Sequence, residues 1–187
     1  ARSECLEAHS IPIPKYEIID AFYEPSIKLP FVVKPSDNSG SRGVRLVSNL
    51  NEWEIAYQDA LSLSSDGRVV VEELVIGQEI SIEGFLIDGE MITYGFTDRN
   101  FIQNDTYYPY FIEDGSSCPT LLPPEIVIEA KELFSKAAIA LGVLNGPSKG
   151  DLIVTKDGVK VFEITSRLSP AFSILTPYVA GVDPLIE

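Results

Sequence analysis

Three short segments combine charged, hydroxyl and glycine residues in patterns that can do chemistry. In the last of them, Asp151-Leu152-Ile153-Val154 runs into Asp157-Gly158 and returns as Phe162-Glu163-Ile164-Thr165-Ser166-Arg167. Folded as a hairpin, it sets Asp151 and Glu163 across from each other on one face. The two-residue period of a strand puts Glu163, Thr165 and Arg167 on the same side, with Ile164 opposite. Two carboxylates and a hydroxyl make a cradle for Mg2+ (or Mn2+) that phosphate oxygens would complete. A guanidinium beside it, Arg167, suits a phosphate or an acyl phosphate. The same residues also fit a plain cross-strand cluster of surface charge.

The first segment is Lys34-Pro35-Ser36-Asp37-Asn38-Ser39-Gly40-Ser41-Arg42-Gly43-Val44. Glycine lets backbone N–H groups approach an anion, and Lys34 or Arg42 can neutralise its charge. No Gly-Lys-Ser/Thr opens a helix here, so this is not a Walker A loop. An ordinary hairpin loop has the same composition. The middle segment is Val69-Val70-Val71-Glu72-Glu73-Leu74-Val75-Ile76-Gly77-Gln78-Glu79. Its backbone can read an adenine edge while apolar neighbours cover the ring, and Glu79 can accept from ribose hydroxyls. A strand end with solvated glutamates is the plainer reading.

The elements that must position these residues are legible in outline. Residues 1–8 are weakly helical. Strands are expected at Tyr16–Ile19, Phe31–Pro35, Val44–Val47, Arg68–Leu74, Gly77–Ile87 and Met91–Thr97, with a hairpin turn at Asp88-Gly89. Trp53, Ala56, Tyr57, Ala60 and Leu61 predict a helix over Leu50–Leu63, capped by Asn49 or Asn51. Residues 98–119 read as a long aromatic loop, whose Tyr107, Tyr108, Tyr110 and Phe111 either shape an acceptor pocket or pack the loop onto a sheet. Pro124–Leu141 is the clearest helix, introduced by Pro123-Pro124 and stopped by Gly142. Leu152–Thr155 and Lys160–Ile164 form a second hairpin. Hairpins and helices mixed without a βαβ beat predict an α+β fold with mainly antiparallel sheets.

The 187 residues carry 14 basic and 28 acidic side chains, a net charge of −14. Such a chain repels nucleic acid and anionic membrane surfaces, and no apolar run is long enough to span a bilayer. Cys5 and Cys118 have no metal-like spacing, which fits a reducing cytoplasm better than a disulfide scaffold. His9, the one histidine, has no triad signature around it. The chain begins with Ala1 and ends just after a turn-like Gly181-Val182-Asp183-Pro184, so both ends read as cut from a longer protein.

Taken in order, the three segments resemble the ATP-grasp superfamily: Val-Lys-Pro with a small-residue loop, Val-Glu-Glu-Leu-x-x-Gly-x-Glu, and a closing Glu-x-x-x-Arg after an acidic hairpin. The resemblance covers roughly residues 10–183. Pro109-Tyr110-Phe111-Ile112-Glu113 and Gly146-Pro147-Ser148-x-x-Asp151 are similar to the carboxylate–amine ligase branch, near carbamoyl-phosphate-synthase-like sequences. The resemblance implies two lobes of mainly antiparallel sheet flanked by helices. Residues 1–15 would end a preceding segment, 16–71 would form a small lid lobe, and 72–187 the large lobe with the metal site.

It further implies ATP and Mg2+ (or Mn2+) as cofactors. Lys34 would touch the phosphates or the adenine, and the Ser36–Gly43 loop, with Ser39, Gly40, Ser41 and Arg42, would close over the phosphates. Glu72 would accept from the adenine amino group, with Glu73 and the Leu74 backbone beside it, and Glu79 would hold the ribose. Asp151, Glu163 and Thr165 would ligate the metal, and Arg167 would steady the transferred phosphoryl group. The implied activity is ATP-dependent activation of a small carboxylate as its acyl phosphate, then capture by an amine or similar nucleophile. A non-catalytic nucleotide-binding module and a structural interaction domain are the alternatives. Thr165 stands where the family usually has Asn, and Lys149 where many relatives carry His, which favours an anionic substrate. The family's pre-grasp domain is not in this chain. Assembly as a homo-oligomer is left open.

Overall fold

The computed structural model describes residues 2–169, 174, 177, 178 and 181. It divides into two compact units, one of Pro14–Val75 with Phe101–Asp114, the other of Ala1–Ile13, Ile76–Asn100 and Gly115–Glu187. The α+β class with antiparallel sheets is what the structure shows.

The first unit holds β1 (Tyr16–Ile19), β2 (Phe31–Pro35), β3 (Arg45–Val47) and β4 (Val69–Glu73) in the order β1-β4-β2-β3, every pair antiparallel. Alternation sets one face apolar: Phe31, Val33, Val69 and Val71 are buried with Ile19 and Val47. Helix α2 (Trp53–Ser62) covers that face with Trp53, Ala56, Tyr57 and Ala60, at the spacing the sequence predicts. A 3-10 turn over Leu50–Glu52 leads into it, and the Asn49 side chain caps the turn by accepting from Asn51 N–H at 3.0 Å.

Residues 98–119 are more ordered than a long loop. Strand β6 runs on through Asn100, α2 is followed in chain order by a short helix α3 (Asn104–Tyr107), and β7 occupies Gly115–Ser117. Within the first unit, Leu46 N–H donates to Pro109 O at 2.8 Å, Arg45 bridges to Tyr110, and the Tyr108 hydroxyl reaches both Glu52 oxygens at 3.2 and 3.3 Å. The segment thus joins the β3 edge through its backbone, while the Tyr108 and Tyr110 side chains stay about half exposed.

The second unit opens with α1 (Arg2–Ala8), whose Leu6 is buried. Its sheet runs β7-β6-β5-β8-β9, antiparallel throughout, from β5 (Gln78–Ile87), β6 (Glu90–Asn100), β8 (Gly146–Thr155) and β9 (Gly158–Thr165). Helix α4 (Pro124–Ala140) lays Ala130, Phe134, Ala137 and Ala138 on Ile80, Ile82, Leu152, Val161 and Ile164. The Asp88-Gly89 turn has φ of +53° and +80°, the left-handed pair a two-residue hairpin needs. At the β8–β9 turn the loop is Lys156-Asp157, and Gly158 is already paired with Thr155.

Strand β8 begins at Gly146, six residues before the expected Leu152, because residues 146–154 pair with β5. Pro147 is tolerated there because β9 joins only from Lys149 onward, so nothing on that side calls for its missing N–H. The observed division also differs from the expected lobes. Glu72 and Glu73 complete β4 and stay with the first unit, 101–114 rejoin it, and 2–13 pack with the second through Val161 N–H to Pro12 O at 2.8 Å. The turn expected over 182–184 lies outside the described residues.

Candidate functional site

In the first unit, the face of the sheet away from α2 carries Lys34 and Glu72. Lys34 pairs with Val70, so Glu72, two residues along β4, is its diagonal neighbour on the same face. Their side chains meet at 2.5 Å, with Glu72 buried. Glu73 points elsewhere: its carboxylate accepts from Lys15 N–H at 3.0 Å and extends the β1–β4 edge. Leu74 lies just past the end of β4.

The loop after β2 turns through three consecutive or near-consecutive left-handed residues, Gly40, Ser41 and Gly43, with φ of +67°, +55° and +79°. Such turns gather N–H groups on one side of the chain. Arg42 folds back to donate to Ser39 O at 3.1 Å and to the Ser39 hydroxyl at 3.4 Å. A Cβ at Gly43 would lie 2.8 Å from Pro35 Cγ and 2.9 Å from Leu63 Cδ1, so only glycine fits there.

In the second unit the sheet has one apolar and one polar face. Ile80 and Ile82 face α4, so Glu79, Ser81 and Glu83 must face the other way. Their neighbours on that face are Lys149 and Asp151 of β8 and Thr97 of β6, through the pairs Ser81↔Asp151, Glu83↔Lys149 and Ser81↔Thr97. Asp151 is directly opposite Glu163, and Lys149 directly opposite Thr165. The expected facing of the two acidic residues is thus present in the register.

Asp151 is buried and fully engaged. It accepts from the Ser81 hydroxyl and from Lys149 Nζ, each at 2.5 Å, and lies 3.8 Å from Arg99 Nη1. Burial by itself would raise its pKa; Lys149, Arg99 and Ser81 outweigh burial and hold the carboxyl below the ordinary aspartate value. Arg99 is also 2.9 Å from Glu79, so Glu79 already has a cationic partner. Thr165 Oγ1 is buried and makes no hydrogen bond, as is Thr97 Oγ1. Arg167 lies beyond the end of β9, in a bend, exposed, donating to Leu168 O at 3.3 Å. The expected continuation of the strand face from Thr165 to Arg167 therefore does not occur; the ladder stops at Thr165.

Among the described residues no group of three or more His, Cys, Asp or Glu side chains stands close enough to hold a metal. The donor set still fits Mg2+, which keeps several non-protein ligands: two carboxylates opposed across one strand pair, with an unpartnered hydroxyl two residues from one of them. Ser81, Glu83 and Arg99 were not among the expected site residues. Ser81 and Glu83 alternate with Ile80 and Ile82, and that alternation was the available signal. His9 is exposed, its Nδ1 2.9 Å from Cys5 O.

Two α+β units, each an antiparallel sheet with a helix on one face and charged residues on the other, define the class. A family model described as the ATP-grasp domain matches residues 27–171, and the chain belongs to that family. It is 31% identical over 152 residues to a phosphoribosylamine–glycine ligase of Methanococcus vannielii, covering 73% of this chain and 34% of the relative. It is 28% identical over 177 residues to D-alanine–D-alanine ligase B of Chromobacterium violaceum, covering 87% of this chain and 54% of the relative. The chain thus spans about a third to a half of the curated relatives it matches. Among solved structures, an L-amino acid ligase from Bacillus licheniformis shares the fold at a TM-score of 0.79 and 22% identity, over 97% of this chain and 43% of that one. A biotin carboxylase from Campylobacter jejuni does so at 0.75 and 20%, over 96% of this chain and 42% of that one. No helix among the described residues is long and apolar enough to cross a membrane.

Proposed function

We propose that this domain is the nucleotide-binding core of an ATP-dependent ligase that joins a small carboxylate to an amine. The observation that carries the reading is the opposed Asp151–Glu163 pair on the polar face of the β5–β8–β9 sheet, within a chain whose relatives are named ligases. In the reaction, a substrate carboxylate oxygen attacks the γ-phosphorus of ATP. The bond from that phosphorus to the β–γ bridging oxygen breaks, ADP leaves and an acyl phosphate forms. The amine nitrogen then attacks the acyl carbon, phosphate departs with the C–O bond electrons, and the amine loses a proton to water or a base.

Lys34 and the Ser39–Arg42 turn supply cationic and N–H groups for phosphate oxygens. Glu72, Glu73, the Leu74 backbone and Glu79 are the nucleoside-binding candidates, Glu72 as acceptor for the adenine amino group and Glu79 for ribose hydroxyls. Asp151, Glu163 and Thr165 would hold magnesium or manganese. A metal bound there supplies charge neutralisation on the transferring phosphoryl oxygens. Arg167, exposed just past the end of β9, would pair with a phosphate or an acyl phosphate.

The test is phosphate release by the full-length protein, with ATP and magnesium, against a panel of small carboxylates with and without amines. Release that needs both substrates is the expected result. Nucleotide binding with no turnover on any pair would instead favour a non-catalytic module.

A further inference from the structure

We propose that Lys149 exchanges partners, leaving Asp151 for Glu83 when a divalent cation binds Asp151, so that Glu83 is a positioning residue for metal binding. This rests on the metal role proposed for Asp151.

The starting point is a conflict at Asp151. Lys149 Nζ is 2.5 Å from Asp151 Oδ1. A cation ligated by that same oxygen at roughly 2.1 Å would come within about 4.6 Å of the ammonium. Three cationic groups, carrying four positive charges, would then crowd one largely buried carboxylate, and the ammonium on its flexible stem is the one placed to leave. The acids on this face narrow its destinations. Glu163 belongs to the metal set, and Glu79 is ion-paired with Arg99 at 2.9 Å. Glu83 remains.

Glu83 is placed to receive it. It is the direct cross-strand partner of Lys149, so the two side chains leave the sheet side by side on one face. It is fully buried, and neither carboxylate oxygen has a hydrogen bond of normal geometry. A buried carboxyl so incompletely hydrogen-bonded gains from an ammonium brought beside it. Burial dominates and leaves the Glu83 pKa raised, while Ser169 and the Tyr94 hydroxyl stand against its carboxylate and Lys149 and Arg167 already act on it electrostatically. A lysine stem with four rotatable methylenes can make the exchange without backbone movement.

The experiment is Mn2+ binding to the full-length protein at saturating ADP, read from the electron paramagnetic resonance signal of free Mn2+. Lys149→Met removes the competing ammonium and is expected to tighten Mn2+ by about tenfold. Glu83→Gln removes the alternative partner and is expected to weaken it by about tenfold. In the Lys149→Met background the Glu83→Gln effect should vanish, and in the Lys149→Arg background it should persist. A Glu83→Gln effect of equal size with and without Lys149, or weaker Mn2+ binding in Lys149→Met, overturns the exchange. Asp151→Asn separates the two proposals: unchanged Mn2+ affinity there removes the metal role of Asp151 itself. Loss of binding in Asp151→Asn with additive effects at Lys149 and Glu83 removes only the exchange. Glu83→Leu, which removes the carboxylate without burying an unpaired amide, serves as the second variant should Glu83→Gln melt below the assay temperature, with the same outcomes.

Discussion

Asp151 and Glu163 are directly opposed across β8 and β9, and the ladder slips by one residue immediately beside them, where Leu152 pairs with Val161 and Phe162 is left over. A bulge re-aims the side chains next to it and is common beside functional sites. The two carboxylates are held differently. Asp151 is buried under Lys149 and Ser81, whereas Glu163 is only partly buried. The pair thus joins a fixed carboxylate to a more accessible one, and their separate removal should have different consequences.

Asp151→Asn and Glu163→Gln should each abolish the extra heat stability that magnesium adds to ADP binding. At 100 times the dissociation constant a ligand adds about 2.7 kcal/mol, and differential scanning fluorimetry with ADP, with and without magnesium, reads this directly. In the absence of ligand Asp151→Asn should be the less stable of the two, because it strips Lys149 of a buried ion-pair partner. A magnesium-dependent shift of wild-type size in Glu163→Gln would remove that residue from the metal set.

Lys34 and Glu72 should show the asymmetry of a partly buried ion pair. Lys34→Met removes the ammonium that Glu72, 9% exposed in its side chain, meets, and should cost about 1–3 kcal/mol given that Lys34 is itself 21% exposed. Lys34→Met with Glu72→Gln should recover most of the loss. Urea denaturation of the four-member cycle measures it. Additive losses would mean that the pair contributes nothing to the fold.

The two glycines of the β2–β3 loop should not be equivalent. Gly40→Ala meets nothing within 4 Å but keeps a left-handed φ of +67°, a cost of about 1–2 kcal/mol. Gly43→Ala adds a clash with Pro35 and Leu63 to the same backbone penalty, about 1–3 kcal/mol more. The expected order in thermal melts is wild type, Gly40→Ala, Gly43→Ala. ADP affinity should fall in Gly40→Ala by more than its small stability loss explains, if the loop closes on phosphate.

Much of this frame was legible from alternation and turn chemistry. Phe31–Pro35 and Tyr16–Ile19 are strands at the expected bounds, and Pro124–Ala140 ends one residue short of the expected helix. The Asp151–Glu163 facing followed from hairpin register. What was not legible depends on long-range pairing. Gly146-Pro147-Ser148-Lys149-Gly150 looks like a turn by composition, and becomes a strand only because β5 offers it partners. Asn104–Tyr107 and the bridge from Tyr110 to Arg45 are likewise set by contacts distant in sequence. Arg167 was misplaced because period-2 reasoning assumes the strand continues, and here β9 has no partner residues past Thr165. Glu83 was missed because a lone glutamate amid Ile80, Ile82 and Phe85 reads as a solvent-facing residue, while that face is buried.

Glu83 should give the protein a distinctive pH dependence. Its pKa is raised above the ordinary 4.5 chiefly by burial, so the folded state holds a proton that the unfolded chain releases first. Stability from this group is therefore full below 4.5 and falls as pH rises toward the folded pKa, then levels off. Glu83→Gln has no such loss. The stability difference between Glu83→Gln and wild type, measured in urea with chelator present, should grow in favour of the variant as pH rises from 4.5 upward. Other carboxylates cancel in that difference. A difference independent of pH would show that Glu83 titrates alike in both states.

Gly150 ties the polar face to the core beneath it. It sits in β8 between Lys149 and Asp151 but faces α4, where a Cβ would lie 2.7 Å from Phe134 Cδ2 and 3.0 Å from Leu152 Cδ1. Phe134 is fully buried and cannot retreat into solvent. Gly150→Ala should therefore push β8 away from α4 and cost about 1–3 kcal/mol. Phe134→Leu opens space at that contact and costs a comparable amount alone through lost packing. Combined, the two changes should be less destabilising than their sum by about 1 kcal/mol or more, since residues in contact do not add. The magnesium-dependent shift with ADP gives the functional half of the argument. It should shrink in Gly150→Ala, because Lys149 and Asp151 move with their strand, and return in the double variant. Stability that recovers while the shift does not would mean that Asp151 is positioned by its own hydrogen bonds rather than by the packing of β8 on α4.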